Sequence, residues 1–361
     1  MLIVDSHLDL SWNALQWNRD LLASAYTIRA QESYTPGKGR GQGTVAFPEM
    51  RMGRIALSFA TLLARSTGQP SPHLDYATPV QAYGIAKGQL AYYHSLERQG
   101  HARIIRDAEQ LNRHMHEWST WDSHHKSDAQ SPNHPLGFVI SMEGADPILG
   151  PEHLEEWWQG GLRLLGLTHY GPGRYAGGTG TEAGLTEMAG PLLDEMARLG
   201  IALDLTHSSD QAFWESLRRF DGPVMASHNN CRALVPHQRQ FSDAQIRAIV
   251  ERGGVIGVAL DCWMIVAGWR HGDDNRHITL SNVVEHIDHI VQLAGNSRSV
   301  GIGTDLDGGF GREGSPYDLD TIADLQKIGG LLGQRGYSAA DTAAIMHGNW
   351  LTFLRRVWGT V

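Results

Sequence analysis

Eight short apolar runs punctuate this chain, and most of them give way at once to a polar residue or a turn. They are Leu2–Val4, Ile55–Leu62, Gly137–Met142, Leu162–Leu167, Ile201–Leu205, Pro223–Ala226, Gly254–Leu260 and Ser299–Gly303. Runs this short and this continuously apolar are what strands covered on both faces look like. Between many of them lie stretches of helical period: Gln81–Arg98, with Ala86, Leu90 and Tyr93 along one face, then Leu192–Leu199 and Asp243–Glu251. Gly200 and the pair Gly253-Gly254 stand where such helices should stop. Strands alternating with helices imply a parallel sheet, and eight of them imply a closed α/β structure, the (β/α)8 TIM barrel. An open doubly wound sheet is the alternative, but no Gly-x-Gly-x-x-Gly follows an early strand. The 361 residues suit one such barrel, so residues 1–361 are expected to form a single domain.

Two segments fall outside this rhythm. Ser33–Gly43 (SYTPGKGRGQG) reads as a Gly-rich loop, and residues 118–135 (WSTWDSHHKSDAQSPNHP) have no usable period and read as a long loop. A loop of that length in a compact domain is often functional, which makes a lid over the site an option.

In a barrel the carboxyl ends of all strands share one rim. The opening MLIVDSHLDL places His7 and Asp9 there. Glu143 follows the run ending at Met142, and His169, His207, His228 and Asp305 follow four later runs. Buried imidazoles and carboxylates are costly unless paired or bound to metal. Seven such donors at matching positions therefore point to a metal site. Imidazole and carboxylate without thiolate suit zinc, manganese or iron. The donors are too many for one ordinary zinc, so two neighbouring divalent ions are expected. Glu143, the one acid on a middle strand, would bridge them, with His7 and Asp9 on one ion and His207 and His228 on the other. Asp305, on the last strand, would carry the proton.

Other readings are weaker. Ser208 and Ser227 flank histidines but lack the G-x-S-x-G elbow of a serine nucleophile. His286 and His289 sit on an expected outer helix, and Trp157-Trp158 read as helix packing. Cys231 and Cys262 read as two reduced thiols. The net charge of −9, with 30 basic residues spread along the chain, offers nucleic acid no basic block. No run of eighteen apolar residues would span a membrane, and no leader-like start is present. A cytoplasmic protein is expected, with a homodimer as the oligomer entertained.

At this point the residues resemble a family. DSHLDL at 5, MEG at 142, LTH at 167, DLTHSS at 204, SHNNCRAL at 227 and GTDLDG at 303, in this order, resemble the renal-type (membrane) dipeptidases, peptidase family M19 of the amidohydrolase superfamily. HIDHI at 286 and GNWL at 348 are supporting echoes, and the resemblance covers nearly the whole chain. It implies a binuclear zinc site with His7, Asp9 and Glu143 on one ion and Glu143, His207 and His228 on the other. It implies a hydroxide between the ions that attacks the peptide bond of a dipeptide, with a D-residue at the carboxyl side as an option. His169 would stabilise the oxyanion and Arg239 would grip the substrate carboxylate. Asp305 would protonate the leaving amine, with Asp307 ranked second for that role.

The chain also departs from the family. Tyr170 stands where Asn is frequent, Leu306 replaces Phe, and the seventh strand ends in VALDCW rather than in an aromatic residue. Asp261 would then repel a carboxylate or hold a substrate amino group. These departures keep two alternatives open. One is an amidohydrolase for another amide, an N-acyl amino acid, a lactam or a lactone. The other is a non-hydrolytic metal-binding protein of the same fold. No tail of the lipid-anchor type follows the last helix.

Overall fold

The computed structural model describes residues 1–124 and 134–359. Among them are nine strands: β1 (Ile3–Leu8), β2 (Ile55–Leu62), β3 (Ala102–Ile104), β4 (Leu136–Met142), β5 (Leu162–Gly166), β6 (Ala202–Asp204), β7 (Val224–Met225), β8 (Ile256–Val258) and β9 (Val300–Ile302). Eight of them pair in the order β7-β6-β5-β4-β2-β1-β9-β8, every pair parallel. The two ends of that path meet. Ala226, just past β7, bridges Ile256 in parallel, and Gly257 N–H donates to Ala226 O at 2.8 Å. The sheet is therefore a closed ring, and its eight members are the eight apolar runs. Every residue of β1, β2, β4 and β5 is buried, as a strand lined by core on one face and by helices on the other must be.

β3 had no signature in the sequence. It is three residues long with Arg103 in the middle, and it pairs with the amino half of β4, on the edge that β5 occupies higher up.

The helices start and stop for local reasons. Thr78 closes a capping box with Gln81 and opens the helix Pro79–Arg98, which buries Ala86, Leu90 and Tyr93. Ser242 does the same for Asp243–Glu251. Ala189–Leu199 ends at Gly200, whose φ of 68° is the left-handed geometry glycine tolerates best. Trp157 is fully buried in the helix Leu154–Gln159. Trp350, of GNWL, is fully buried and donates from Nε1 to Ile302 O at 3.1 Å.

One expectation changes. The helix Ala108–His124 takes up the first part of the segment read as a loop at 118–135, and Trp118 is buried in the core. Its other flank, His134 and Pro135, leads into the amino end of β4, on the face of the barrel away from the rim. Residues 125–133 lie outside the described residues. No described helix is long and apolar enough to cross a membrane.

Directly under the rim the barrel narrows. Ser6 Oγ donates to Ser227 O and Ile302 O. A Cβ on Gly257 or Gly303 would collide with Ser6 Oγ and Ser227 O, so both positions need glycine. This tight floor draws the ends of β1, β7, β8 and β9 together.

Candidate active site

A simple register places the rim residues. His169, His207, His228, Asp261 and Asp305 each lie three residues past the end of β5, β6, β7, β8 and β9. His7 is inside β1, and Asp9 and Glu143 directly follow β1 and β4. The turns are held by side chains below. Asp5 accepts from Thr304 N–H (2.9 Å) and Thr304 Oγ1–H (2.7 Å), and Asp204 accepts from Thr206 and Ser227 N–H, both at 3.0 Å. Two site residues occupy the left-handed region, His207 at φ 66° and Asp305 at φ 58°. Non-glycine residues enter it at a cost, and such strain gathers at functional sites. Gly308 is obligatory here, because a Cβ would fall on Asp305 Oδ1.

The seven donors converge on Glu143. Its Oε1 lies 3.1 Å from His207 Nε2, 3.2 Å from His228 Nε2 and 3.6 Å from His169 Nε2. Its Oε2 lies 3.7 Å from His7 Nε2, which is itself 3.8 Å from both Asp9 Oδ2 and Asp305 Oδ1. One carboxylate thus turns one oxygen to each of two donor groups. Glu143, His207 and His228 form one trio with ligand atoms within 4.8 Å of one another, and His7, Asp9 and Glu143 form a second. His7, His228 and Asp305 form a third that overlaps both.

The outer nitrogens of these rings are held by hydroxyls. Thr179 Oγ1 lies 3.1 Å from His207 Nδ1, Ser227 Oγ lies 2.9 Å from His228 Nδ1, and Thr61 Oγ1 stands 3.4 Å from His7 Nδ1. That leaves each Nε2 facing inward, the arrangement that fixes a metal-binding imidazole. His7 Nε2 and Asp9 Oδ1 are buried without a hydrogen-bond partner. His207 Nε2 and His228 Nε2 face each other at 3.2 Å.

Protonation carries the same message. Burial pushes Glu143 well above the carboxylate range, and burial together with the charge of Asp9 lifts Asp305 to about 8. Burial lowers His169, His207 and His228 well below the ordinary imidazole value, helped by Arg239 and by neighbouring groups. Burial would lower His7 as well, but Glu143, Asp9 and Asp305 outweigh it and hold the ring at about 10. Buried carboxylates crowded together beside His207 and His228, two imidazoles held neutral with Nε2 atoms that face each other, are what a divalent cation satisfies. The donor set fits such ions.

A cavity of about 750 Å³ opens over this cluster. Arg239 reaches it from behind. The residue is 3% exposed, its Nη2 donates to His228 O at 2.9 Å and lies 3.3 Å from His207 Nε2, and its Nε has no partner. Asp261 is 5% exposed, with Oδ1 unpartnered and Oδ2 3.3 Å from His271 Nε2. Lys38, from the Gly-rich loop, contacts the same His271 nitrogen at 3.0 Å.

Asp307 has no free oxygen to offer the cavity. It accepts from Thr44 N–H and Oγ1–H, Val45 N–H and Arg19 Nη1, so the second-ranked acid is a structural anchor. His286 is structural too. Its Nδ1 accepts from Cys231 N–H, and its Nε2 faces Ile265 O.

Arg65 escaped the sequence reading. It lines the cavity, and its Nη1 lies 3.0 Å from His169 Nδ1. It stands three residues past the end of β2, the offset shared by five other rim residues. That offset was the signal that could have found it.

The family model for membrane dipeptidase (peptidase family M19) matches residues 1–361. An uncharacterised protein in the pqqA 5' region of Klebsiella pneumoniae is 30% identical over 232 residues, covering 62% of this chain and 83% of that protein. Other curated relatives are matched over about half of their own length. Among solved structures, dipeptidase AC, a metallopeptidase of family M19, is 25% identical with a TM-score of 0.79 over 99% of both chains. A metallopeptidase from Rhodobacter sphaeroides, liganded with a phosphinate mimic of L-Ala-D-Ala, is 24% identical with a TM-score of 0.78, again over 99% of both chains.

Proposed function

The chain belongs to the membrane dipeptidase family, peptidase family M19, and from that premise we propose that it hydrolyses the peptide bond of dipeptides with two zinc ions. His7, Asp9 and Glu143 would hold one ion, and Glu143, His207 and His228 the other. The observation that carries this reading is the split of Glu143, with one oxygen toward each histidine group. Bound there, the cations would supply Lewis acidity and make water a nucleophile near neutral pH.

The chain's own residues do the rest. His169 presents Nε2 to the carbonyl oxygen as it gains negative charge. Asp305 holds a proton at the edge of the cluster and gives it to the nitrogen that leaves. Water thus adds its oxygen to the carbonyl carbon and its hydrogen to the amine, and the C–N bond breaks. Arg239 offers guanidinium N–H groups to the terminal carboxylate, which fixes the substrate end to end.

Asp261 sets the choice of substrate. A nearly buried carboxylate with an unpartnered oxygen, walled by Tyr170, Trp263 and Trp269, accepts an ammonium and rejects a second carboxylate. The substrates favoured are dipeptides that carry an amino group at that wall, with a D-residue at the carboxyl side as the stereochemical option to test.

The experiment is a substrate panel on purified, zinc-loaded protein with metal content measured in parallel. Expected are two zinc per chain and dipeptide turnover that chelation abolishes and zinc restores. Lysine-containing dipeptides should exceed their norleucine counterparts, and Asp261→Asn should remove that preference. Turnover confined to N-acyl amino acids, lactams or lactones would overturn the dipeptidase reading. Full zinc occupancy without hydrolysis of any amide would leave a metal-binding protein.

A further inference from the structure

The contact between Arg65 and His169 decides where a proton sits. Arg65 has a carboxylate behind it, with Nε 3.4 Å from Asp75 Oδ2 in an ion pair that is not a hydrogen bond. Asp75 is itself fixed, accepting from Thr67 N–H at 3.0 Å and Thr67 Oγ1–H at 2.6 Å. Between them, Ser66 N–H donates to Asp146 Oδ2 at 2.8 Å. The loop is pinned on both sides, and the guanidinium is delivered to Nδ1 of His169 at 3.0 Å. A guanidinium has donors only and keeps its charge in proteins. Nδ1 must therefore accept, and the proton of the neutral ring must sit on Nε2. That nitrogen faces the mouth, 3.6 Å from Glu143 Oε1.

We propose that Arg65 is a positioning residue for the hydrolysis: by donating to His169 Nδ1 it locks the tautomer that presents Nε2–H to the scissile carbonyl oxygen. The other tautomer would turn a lone pair toward an oxygen that is becoming negative, and would repel it. The proton stays on the ring throughout, so His169 acts as a fixed donor. This inference rests on the role given to His169 above. Arg65 also lines the cavity, so the competing role is a direct grip on a substrate carboxylate. The two roles differ in which kinetic constant they move.

The test is a double-mutant cycle on the full-length, zinc-loaded protein. Arg65→Met and Arg65→Lys are made in the parent and in His169→Ala. Each is assayed on one dipeptide, melted thermally, and titrated by calorimetry with a phosphinate dipeptide mimic. Arg65→Met should lower kcat by roughly 10–100-fold, the range for outer partners of catalytic ligands. KM should stay within about threefold, phosphinate affinity should fall with kcat, and Arg65→Lys should recover most of the loss. In His169→Ala the same substitution should cost less than about twofold, because its target is gone. A rise in KM at constant kcat, or losses that multiply in the double variant, would overturn the proposal. Should Arg65→Met fold poorly, Asp75→Asn frees the guanidinium from its anchor and carries the same cycle. A parent protein inactive on every dipeptide sinks the proposed function and this inference with it. An active parent with an additive cycle sinks the inference alone.

Discussion

Two of the regions that bury histidine in this molecule do it in opposite ways. Under the helix Leu280–Ala294, His286 has both ring nitrogens engaged by backbone groups. At the mouth of the barrel, the outer nitrogens of His7, His207 and His228 face hydroxyls while the inner ones face each other and Glu143. The first region is complete as a folded protein. The second gathers donors that could hold a cation, and two of their atoms, His7 Nε2 and Asp9 Oδ1, lack hydrogen-bond partners in the protein. The same contrast separates two aspartates two residues apart: Asp307 takes at least four donors, and Asp305 faces the cavity. Burial alone therefore does not mark a functional residue, whereas several buried, unspent lone pairs gathered around one carboxylate do.

The comparison breaks most visibly at Glu143. Glu143→Gln should cost on the order of 10³-fold or more in kcat/KM, at the upper end of what one transition-state group supplies. Zinc content by mass spectrometry should fall with it while the melting temperature of the metal-free protein holds or rises, since a buried acid has been neutralised. A variant that keeps both ions and full activity would remove the bridging role.

The aspartate pair sharpens the contrast. Asp305→Asn should lower kcat by about 10²–10⁴-fold, the usual worth of a positioned acid or base, and leave the thermal melt unchanged. Asp307→Asn should do the reverse, costing about 3 kcal/mol of stability, because Arg19 would keep its charge in the interior with only Glu32 to answer it. Equal effects from the two would erase the distinction.

The hydroxyls behind the rings give a smaller effect. Thr179→Val removes the partner of His207 Nδ1 and should weaken zinc binding roughly 10–100-fold. Competition with a chromophoric chelator measures this, and an unchanged affinity would make Thr179 a packing residue.

Histidines buried away from the rim yield the gentlest prediction, through pH. Burial lowers to about 4 both His286 and His114, a fully buried ring on the helix Ala108–His124 whose Nε2 faces Ala56 O at 2.7 Å. An unfolded histidine takes its proton near 6.5. Between pH 6.5 and 4 the unfolded chain binds more protons than the folded one. Stability present above pH 6.5 is therefore lost as pH falls through that window, by about 3 kcal/mol for each ring. Denaturant melts of metal-free protein across the window would show it, and His286→Gln should flatten part of the slope.

Much of this was written in the chain itself. Eight apolar runs stated the ring, because a strand buried on both faces must be apolar along its length. The donors that follow six of those runs stated the mouth, because every strand of a parallel barrel delivers its carboxyl end to the same rim. Glycine at position 200 and the pair at 253 and 254 stated where two helices stop.

Other features were decided only in three dimensions. β3 carries too little apolar pattern in three residues to be read, and exists because β4 has a free edge below β5. The residues at 118–124 are helical because Trp118 finds the core, which no local period announces. Asp305 and Asp307 look alike in GTDLDG, and which one is spent depends on Arg19 and Thr44, more than 260 positions away in the chain. Arg65 has its strand-end position written in LLARST, but its partner is fixed only when folding brings His169 within 3.0 Å of it. Periodicity and strand-end position are local properties and survive in a linear text. Which lone pair finds a partner is settled by contacts between distant segments, and those exist only after the barrel has closed.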